Sequence, residues 1–132
     1  MRKQIFTEKG AKPMGPYSQA IVADGPTVYI SGQGPVDPET GELVLGSFRE
    51  QAELALSNIG TLLEAAGSSW ENVVRMGIFL ADLANFAELN EIYSQYVKDP
   101  YPARTTVEAG LPVRDGKQME IEVDCIAVVP EA

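Results

Sequence analysis

From Met119 to Val129 the chain alternates with period two: Met119, Ile121, Val123, Cys125, Ala127 and Val129 point one way, and Glu120, Glu122, Asp124, Ile126 and Val128 the other. A strand written this way needs its apolar face covered. Two helices can cover only one side of a sheet, so the second face, which mixes carboxylates with Ile126 and Val128, is not an obvious solvent face. The run Val73 to Leu80 likewise has apolar residues on both faces. Both strands therefore predict burial of the second face against other copies of the chain.

The covering helices are legible. Ser47 with Glu50 three residues on forms a capping box, and Ala52, Ala55, Leu56, Ile59, Leu62, Leu63 and Ala66 follow at helical spacing until Gly67 stops the helix. A second helix is predicted over Asn85 to Val97, ending before Asp99-Pro100, with Phe86, Leu89, Tyr93, Tyr96 and Val97 on one stripe. Gln19 to Ala23 and Thr27 to Ser31, separated by Asp24-Gly25-Pro26, read as a β-hairpin, and a further strand is expected near Arg2 to Phe6. The turn formers and prolines of Gly34 to Gly41 mark a loop. Strands at Thr105 to Glu108 and Met119 to Val129 complete the order ββ, β, α, β, α, β, β in one α+β domain over residues 1–132.

Composition narrows the chemistry. The formal charge is −9 and there is no histidine, so catalysis must use carboxylates, arginine, lysine, tyrosine, hydroxyls or backbone. One cysteine, Cys125, cannot form an intrachain disulfide or build a zinc site, which points to a reducing cytoplasm. No apolar run approaches the ~18 residues of a membrane span, nor does one follow Met1-Arg2-Lys3 as in a signal peptide. Ten scattered basic residues against 19 acids oppose nucleic-acid binding.

Several residues are candidates for chemistry. Arg104 follows Pro102-Ala103 at a strand start, where its fork of donors suits a carboxylate; an ion pair with an acid of the chain would serve the position equally. Glu120 and Glu122 lie two apart on one strand face, where neighbouring carboxylates can raise one another's pKa, or simply form a solvated edge. Tyr17 either lines a pocket or caps the core beside Gly15-Pro16. Asn90, set among apolar helical positions, reads as a structural amide, either buried and satisfied or fixing a loop by hydrogen bonds. Ser31-Gly32 ends a strand with a hydroxyl and a residue that lets a ligand approach the backbone, or forms an ordinary bulge or turn. Cys125, on the apolar face, reads as a packing residue.

Gly15-Pro16-Tyr17, Ser31-Gly32-Gln33, Pro35-Val36-Asp37-Pro38 with Thr40-Gly41-Glu42, Glu64-Ala65-Ala66-Gly67, Asp82-Leu83, Pro102-Ala103-Arg104 and Glu120-Ile121-Glu122 together resemble the RidA/YjgF family, also called endoribonuclease L-PSP, from about Phe6 to Val129. The resemblance implies a chorismate-mutase-like fold, a mixed sheet covered on one face by two helices, and a homotrimer closing around a barrel-like core. It implies clefts between subunits in which Arg104 binds a substrate carboxylate and Glu120 positions a water, with Tyr17, Ser31, Gly32 and Asn90 lining or supporting them and Thr106 standing where many members have cysteine. The implied activity is hydrolysis of reactive imines such as 2-iminopropanoate and 2-iminobutanoate to 2-oxo acids and ammonia, without metal or organic cofactor. A non-catalytic sensor of 2-oxo acids and an endoribonuclease acting as translation inhibitor are the alternatives. The segment Ala109 to Gln118 departs from the family's common length, and its residues Gly110 to Lys117 are expected to reshape a cleft wall.

Overall fold

The period-two segments assemble into a four-stranded mixed sheet in the computed structural model, which describes residues 1–131. In chain order the strands are β1 (Arg2–Ile5), β2 (Ala20–Ala23), β3 (Thr27–Gln33), β4 (Val73–Leu80), β5 (Ala103–Glu108), β6 (Val113–Arg114), β7 (Lys117–Gln118) and β8 (Ile121–Val128). The helices are α1 (Phe48–Ala65) and α2 (Phe86–Tyr93). The main sheet has the order β3-β8-β4-β5, with β4 and β5 parallel and the other neighbours antiparallel.

The alternation of β8 is obeyed through Ala127, with Ile121, Val123, Cys125 and Ala127 buried and Glu122, Asp124 and Ile126 half-buried on the other face; Val128, at the end of the strand, is buried as well. Against the dry face lie Ala52, Leu56, Ile59 and Leu63 of α1 and Leu89, Ile92 and Tyr93 of α2. Each fully buried Leu or Ile contributes about 1.5–3 kcal/mol relative to an exposed one. Helix α1 starts with the predicted capping box, Ser47 Oγ accepting from Glu50 N at 3.2 Å and the Glu50 carboxylate accepting from Ser47 N at 3.2 Å. It ends before Gly67, whose φ of 79° closes the C-terminal turn. Arg49 ties the helices together on the surface by pairing with Glu53, Glu88 and Glu91.

Three local expectations are corrected. The hairpin between residues 19–23 and 27–31 does not form: β2 pairs with β1, and β3 pairs with β8. Gly25, at φ 102°, turns the chain from one sheet to the other, Pro26 has no N–H for a ladder, and Pro26 O accepts from Val129 N at 2.7 Å. The long apolar ladder of β8 captures β3 by non-local pairing, which a three-residue spacing does not reveal. The second helix is shorter than Asn85 to Val97: a 3-10 turn over Leu83–Asn85 precedes α2, and Tyr96 and Val97 pack from turns after Tyr93. Finally, Ala109 to Gln118 contains an unexpected hairpin, β6-β7, turned by Asp115 and Gly116 at φ 53° and 75°. Two positive φ values in an Asp-Gly turn are the type I′ signature.

Among the described residues no helix is long and apolar enough to cross a membrane, and no group of three or more His, Cys, Asp or Glu side chains is placed to hold a metal ion.

Candidate functional site

Arg104 is the second residue of β5, level with Met76 of β4, and points to the helix-covered side of the sheet. Its Nε donates to Thr106 Oγ1 at 2.9 Å, a bond between strand neighbours on one face that fixes the plane of the guanidinium. Three aromatic rings surround the cation: its central carbon lies 5.2 Å from the ring centroid of Tyr93, 5.5 Å from Phe86 and 5.9 Å from Tyr17.

These rings come from distant segments, each held for its own reason. Tyr17 arrives on a loop stitched to the approach of β5: Ser18 N donates to Pro102 O at 3.0 Å and the Ser18 hydroxyl donates to Tyr101 O. The phenol oxygen of Tyr17 accepts from Met14 N at 3.0 Å, so the ring is anchored at its far edge. Phe86 and Tyr93 stand two turns apart on α2, with Asn90 between them and Gly15 close beside the Asn90 amide.

The polar groups of this niche are incompletely satisfied. Arg104 Nη1, the Tyr93 hydroxyl and Asn90 Oδ1 are buried and have no hydrogen-bond partner. No acid of the chain pairs with Arg104 among the described residues, so the ion-pair reading of this residue finds no partner. Burial holds the Arg104 guanidinium below the ordinary arginine value, with Tyr93 and then Tyr17 opposing that shift. It remains a cation at neutral pH. Burial also pushes the Tyr93 phenol upward, with Arg104 opposing, so it stays protonated and able to donate. A desolvated cation with a free donor is a place for a carboxylate.

Tyr17, Asn90, Arg104 and Thr106 thus form one cluster, and Phe86 and Tyr93 belong to it although the sequence reading used them only as core positions. Their signal was available: both lie on the α2 stripe that also carries Asn90. Asn90 leaves its Oδ1 without a partner, as a fully satisfied amide would not. Glu120 lies elsewhere. It precedes β8, and its Oε2 accepts from Asn85 Nδ2 at 3.2 Å while its backbone N donates to Gln51 Oε1 at 2.8 Å. Arg104 is level with Met76, and Ile121 with Leu80. Glu120 is one residue further, beside Ala81, so five residues of strand, roughly 16 Å at about 3.3 Å each, separate it from Arg104 along the sheet within one chain.

Ser31 and Gly32 form a bulge, being the residues skipped where the β3-β8 register shifts between Ile30 and Gln33. The Glu122 carboxylate lies over Gly32, where an added Cβ would meet its Oε2 at 2.6 Å. Glu122 and Gly32 line one cleft, and Glu120 lines another with Asn85 and Gln51. The two glutamates, expected as neighbours on one strand face, line different clefts.

Comparison with known proteins decides the family: the profile described as Endoribonuclease L-PSP matches residues 7–129. The chain belongs to the RidA/YjgF family. A human family member named 2-iminobutanoate/2-iminopropanoate deaminase is 44% identical over 129 residues, 97% of this chain and 90% of that protein. The crystal structure of RidA from the Antarctic bacterium Psychrobacter sp. superposes with a TM-score of 0.70 at 42% identity, covering 96% of this chain and 99% of that one. The structure of E. coli TdcF with bound serine gives 0.69 at 36% identity, over 96% and 98%. The RidA fold, two helices on one face of a mixed sheet, is the architecture described above.

Proposed function

We propose that this RidA-family chain hydrolyses 2-imino acids such as 2-iminopropanoate and 2-iminobutanoate to 2-oxo acids and ammonia. The observation that carries the reading is Arg104, locked by Thr106 and ringed by Tyr17, Phe86 and Tyr93, with a buried donor that no group of the chain satisfies. The human relative's name and the serine bound by TdcF support a ligand that presents a carboxylate beside a nitrogen-bearing carbon.

In the proposed reaction the substrate carboxylate docks on Arg104 and fixes the imine carbon. Glu120 takes a proton from a water as its oxygen attacks that carbon, the carbinolamine receives the proton on nitrogen, and its collapse releases ammonia and leaves the 2-oxo acid. Free imines already hydrolyse in water, so only modest transition-state stabilisation is required and a site without histidine suffices. The separation of Arg104 from Glu120 within one chain supports a site shared between copies, in which Ser31, Gly32 and Glu120 of one face Arg104 of the next. A homotrimer supplies that arrangement and covers the second sheet face.

The same separation favours a second reading, a non-catalytic carboxylate binder, for a chain that does not assemble. Generating the imine in situ with a dehydratase and timing 2-oxo acid release with and without the protein distinguishes the two. Acceleration is expected; tight binding of the 2-oxo acid with no acceleration would establish the binder instead. A net charge of −9 and the lack of histidine argue against RNA cleavage.

A further inference from the structure

The cleft that contains Gly32 is large, about 840 Å³, and its outer wall is the β6-β7 hairpin. Arg114 and Lys117 are direct cross-strand partners there, and both line the cleft. Residues opposite one another in an antiparallel pair share a face, and two like charges so placed destabilise the pair. In a chain with 19 acids and only ten bases, such a pairing has an abundance of alternatives. Neither cation makes an ion pair or side-chain hydrogen bond among the described residues. The acids that also line the cleft, Glu42, Asp115 and Glu122, stay beyond 4 Å of both, and the Glu122 carboxylate leans on Gly32.

Two exposed cations at opposed strand positions, both lining one cleft and neither paired with its acids, describe a receptor for an anion. The cleft also holds Gly32, which the proposed reaction places beside the substrate, and Lys117 lines the adjoining cleft of Glu120 as well, so the anion lies on the substrate rather than on a separate ligand. We infer that Arg114 and Lys117 select imino acids bearing a second, distal carboxylate, so that this chain's substrate class is dicarboxylic 2-imino acids such as 2-iminoglutarate. The inference rests on the imine-hydrolase reading. The reaction remains addition of water across C=N with loss of ammonia, and the distal carboxylate takes no part in bond making or breaking.

The test compares 2-iminoglutarate with 2-iminobutanoate, each generated in situ by an amino-acid oxidase from glutamate or 2-aminobutanoate. The full chain is assayed as purified and as the Arg114→Thr, Lys117→Thr and double variants. The readout is the ratio of kcat/KM for the two imines. It is expected to exceed one for the unaltered chain and to fall about 10-fold for each single change, the size of one charge-assisted hydrogen bond at a partly wet site. Threonine suits a strand and removes the repulsion, so loss of fold does not confuse the result. Equilibrium binding of 2-oxoglutarate and 2-oxobutanoate is measured on the same proteins. If no imine is hydrolysed, the hydrolase reading fails, while a 2-oxoglutarate preference lost in the double variant still establishes the anion site. An affinity ratio and a turnover ratio both unmoved in the double variant would overturn the inference.

Discussion

Arg104 is the residue on which the chemistry turns. Its bond to Thr106 uses Nε alone and leaves both terminal nitrogens without an acceptor, Nη1 of them buried, so a bound carboxylate gains two charge-assisted hydrogen bonds at a site already largely desolvated. Arg104→Ala is expected to cost roughly 3–5 kcal/mol, about 10²- to 10³-fold in kcat/KM, with the fold retained. Lysine keeps the charge and loses the fork, so Arg104→Lys recovers only part of that loss. An intact Ala variant with unchanged turnover and unchanged 2-oxo acid affinity would remove the basis of the functional reading. Glu120→Gln keeps an oxygen for the Asn85 amide and loses the ability to take a proton. Turnover is expected to fall about 10²- to 10⁴-fold while 2-oxo acid binding survives; full turnover would restrict Glu120 to orienting water. Cys125 behaves differently, since burial, and to a lesser extent Asp124, pushes its thiol up to about 12. The unfolded thiol ionises near 9, so between pH 9 and 12 the unfolded chain sheds a proton that the folded chain keeps. That contribution to stability is complete below pH 9 and is lost as pH rises toward 12. Cys125→Ala is expected to flatten the alkaline fall in Tm, whatever it costs in packing at neutral pH.

At the scale of elements, the β6-β7 hairpin was the hardest piece to read and is the most informative. Its Asp115-Gly116 turn is visible in the sequence, but two-residue strands carry too little alternation to separate them from a loop. Its one like-charged rung, Arg114 opposite Lys117, is a local conflict with stability. Lys117→Glu converts the repulsive pair to an attractive one and is expected to raise stability by about 0.2–1 kcal/mol, read as a small rise in Tm. The same variant is expected to bind 2-oxoglutarate more weakly. A fall in Tm would show that the two cations do not oppose each other in the folded protein. The helices were legible because α1 carries its own start and stop, a capping box and a left-handed glycine, and both project a stripe of apolar residues. The pairing of β2 was not: its choice of β1 over β3 depends on what β8 offers from a hundred residues away.

For the whole molecule, the open face of the sheet is the outstanding feature. Tyr29 is 74% exposed and Val107 40%, around the half-buried Ile126, Phe79 and Asp124. Apolar surface of this kind on a sheet is stabilised by a cover, and a closed threefold ring supplies one without leaving an edge. Light scattering of the 14.2 kDa chain at micromolar concentration is expected to give a trimer. Ile126→Glu is expected to disperse it and to abolish imine hydrolysis, since Glu120 and Arg104 would no longer meet. An active monomer would show that the site is complete within one chain.

The sequence alone determined the dry face of β8, the two helices that cover it, and the motifs that point to the RidA family, because each of these is written in residues a few positions apart. It also singled out Arg104, through the Pro-Ala-Arg approach to a strand. Only the tertiary structure decided which strands pair, that Tyr93 and Phe86 surround Arg104, and that Glu120 and Glu122 open into different clefts. Those outcomes depend on contacts between segments tens of residues apart, where many pairings satisfy the local pattern and the one that buries most apolar surface with its polar groups bonded prevails.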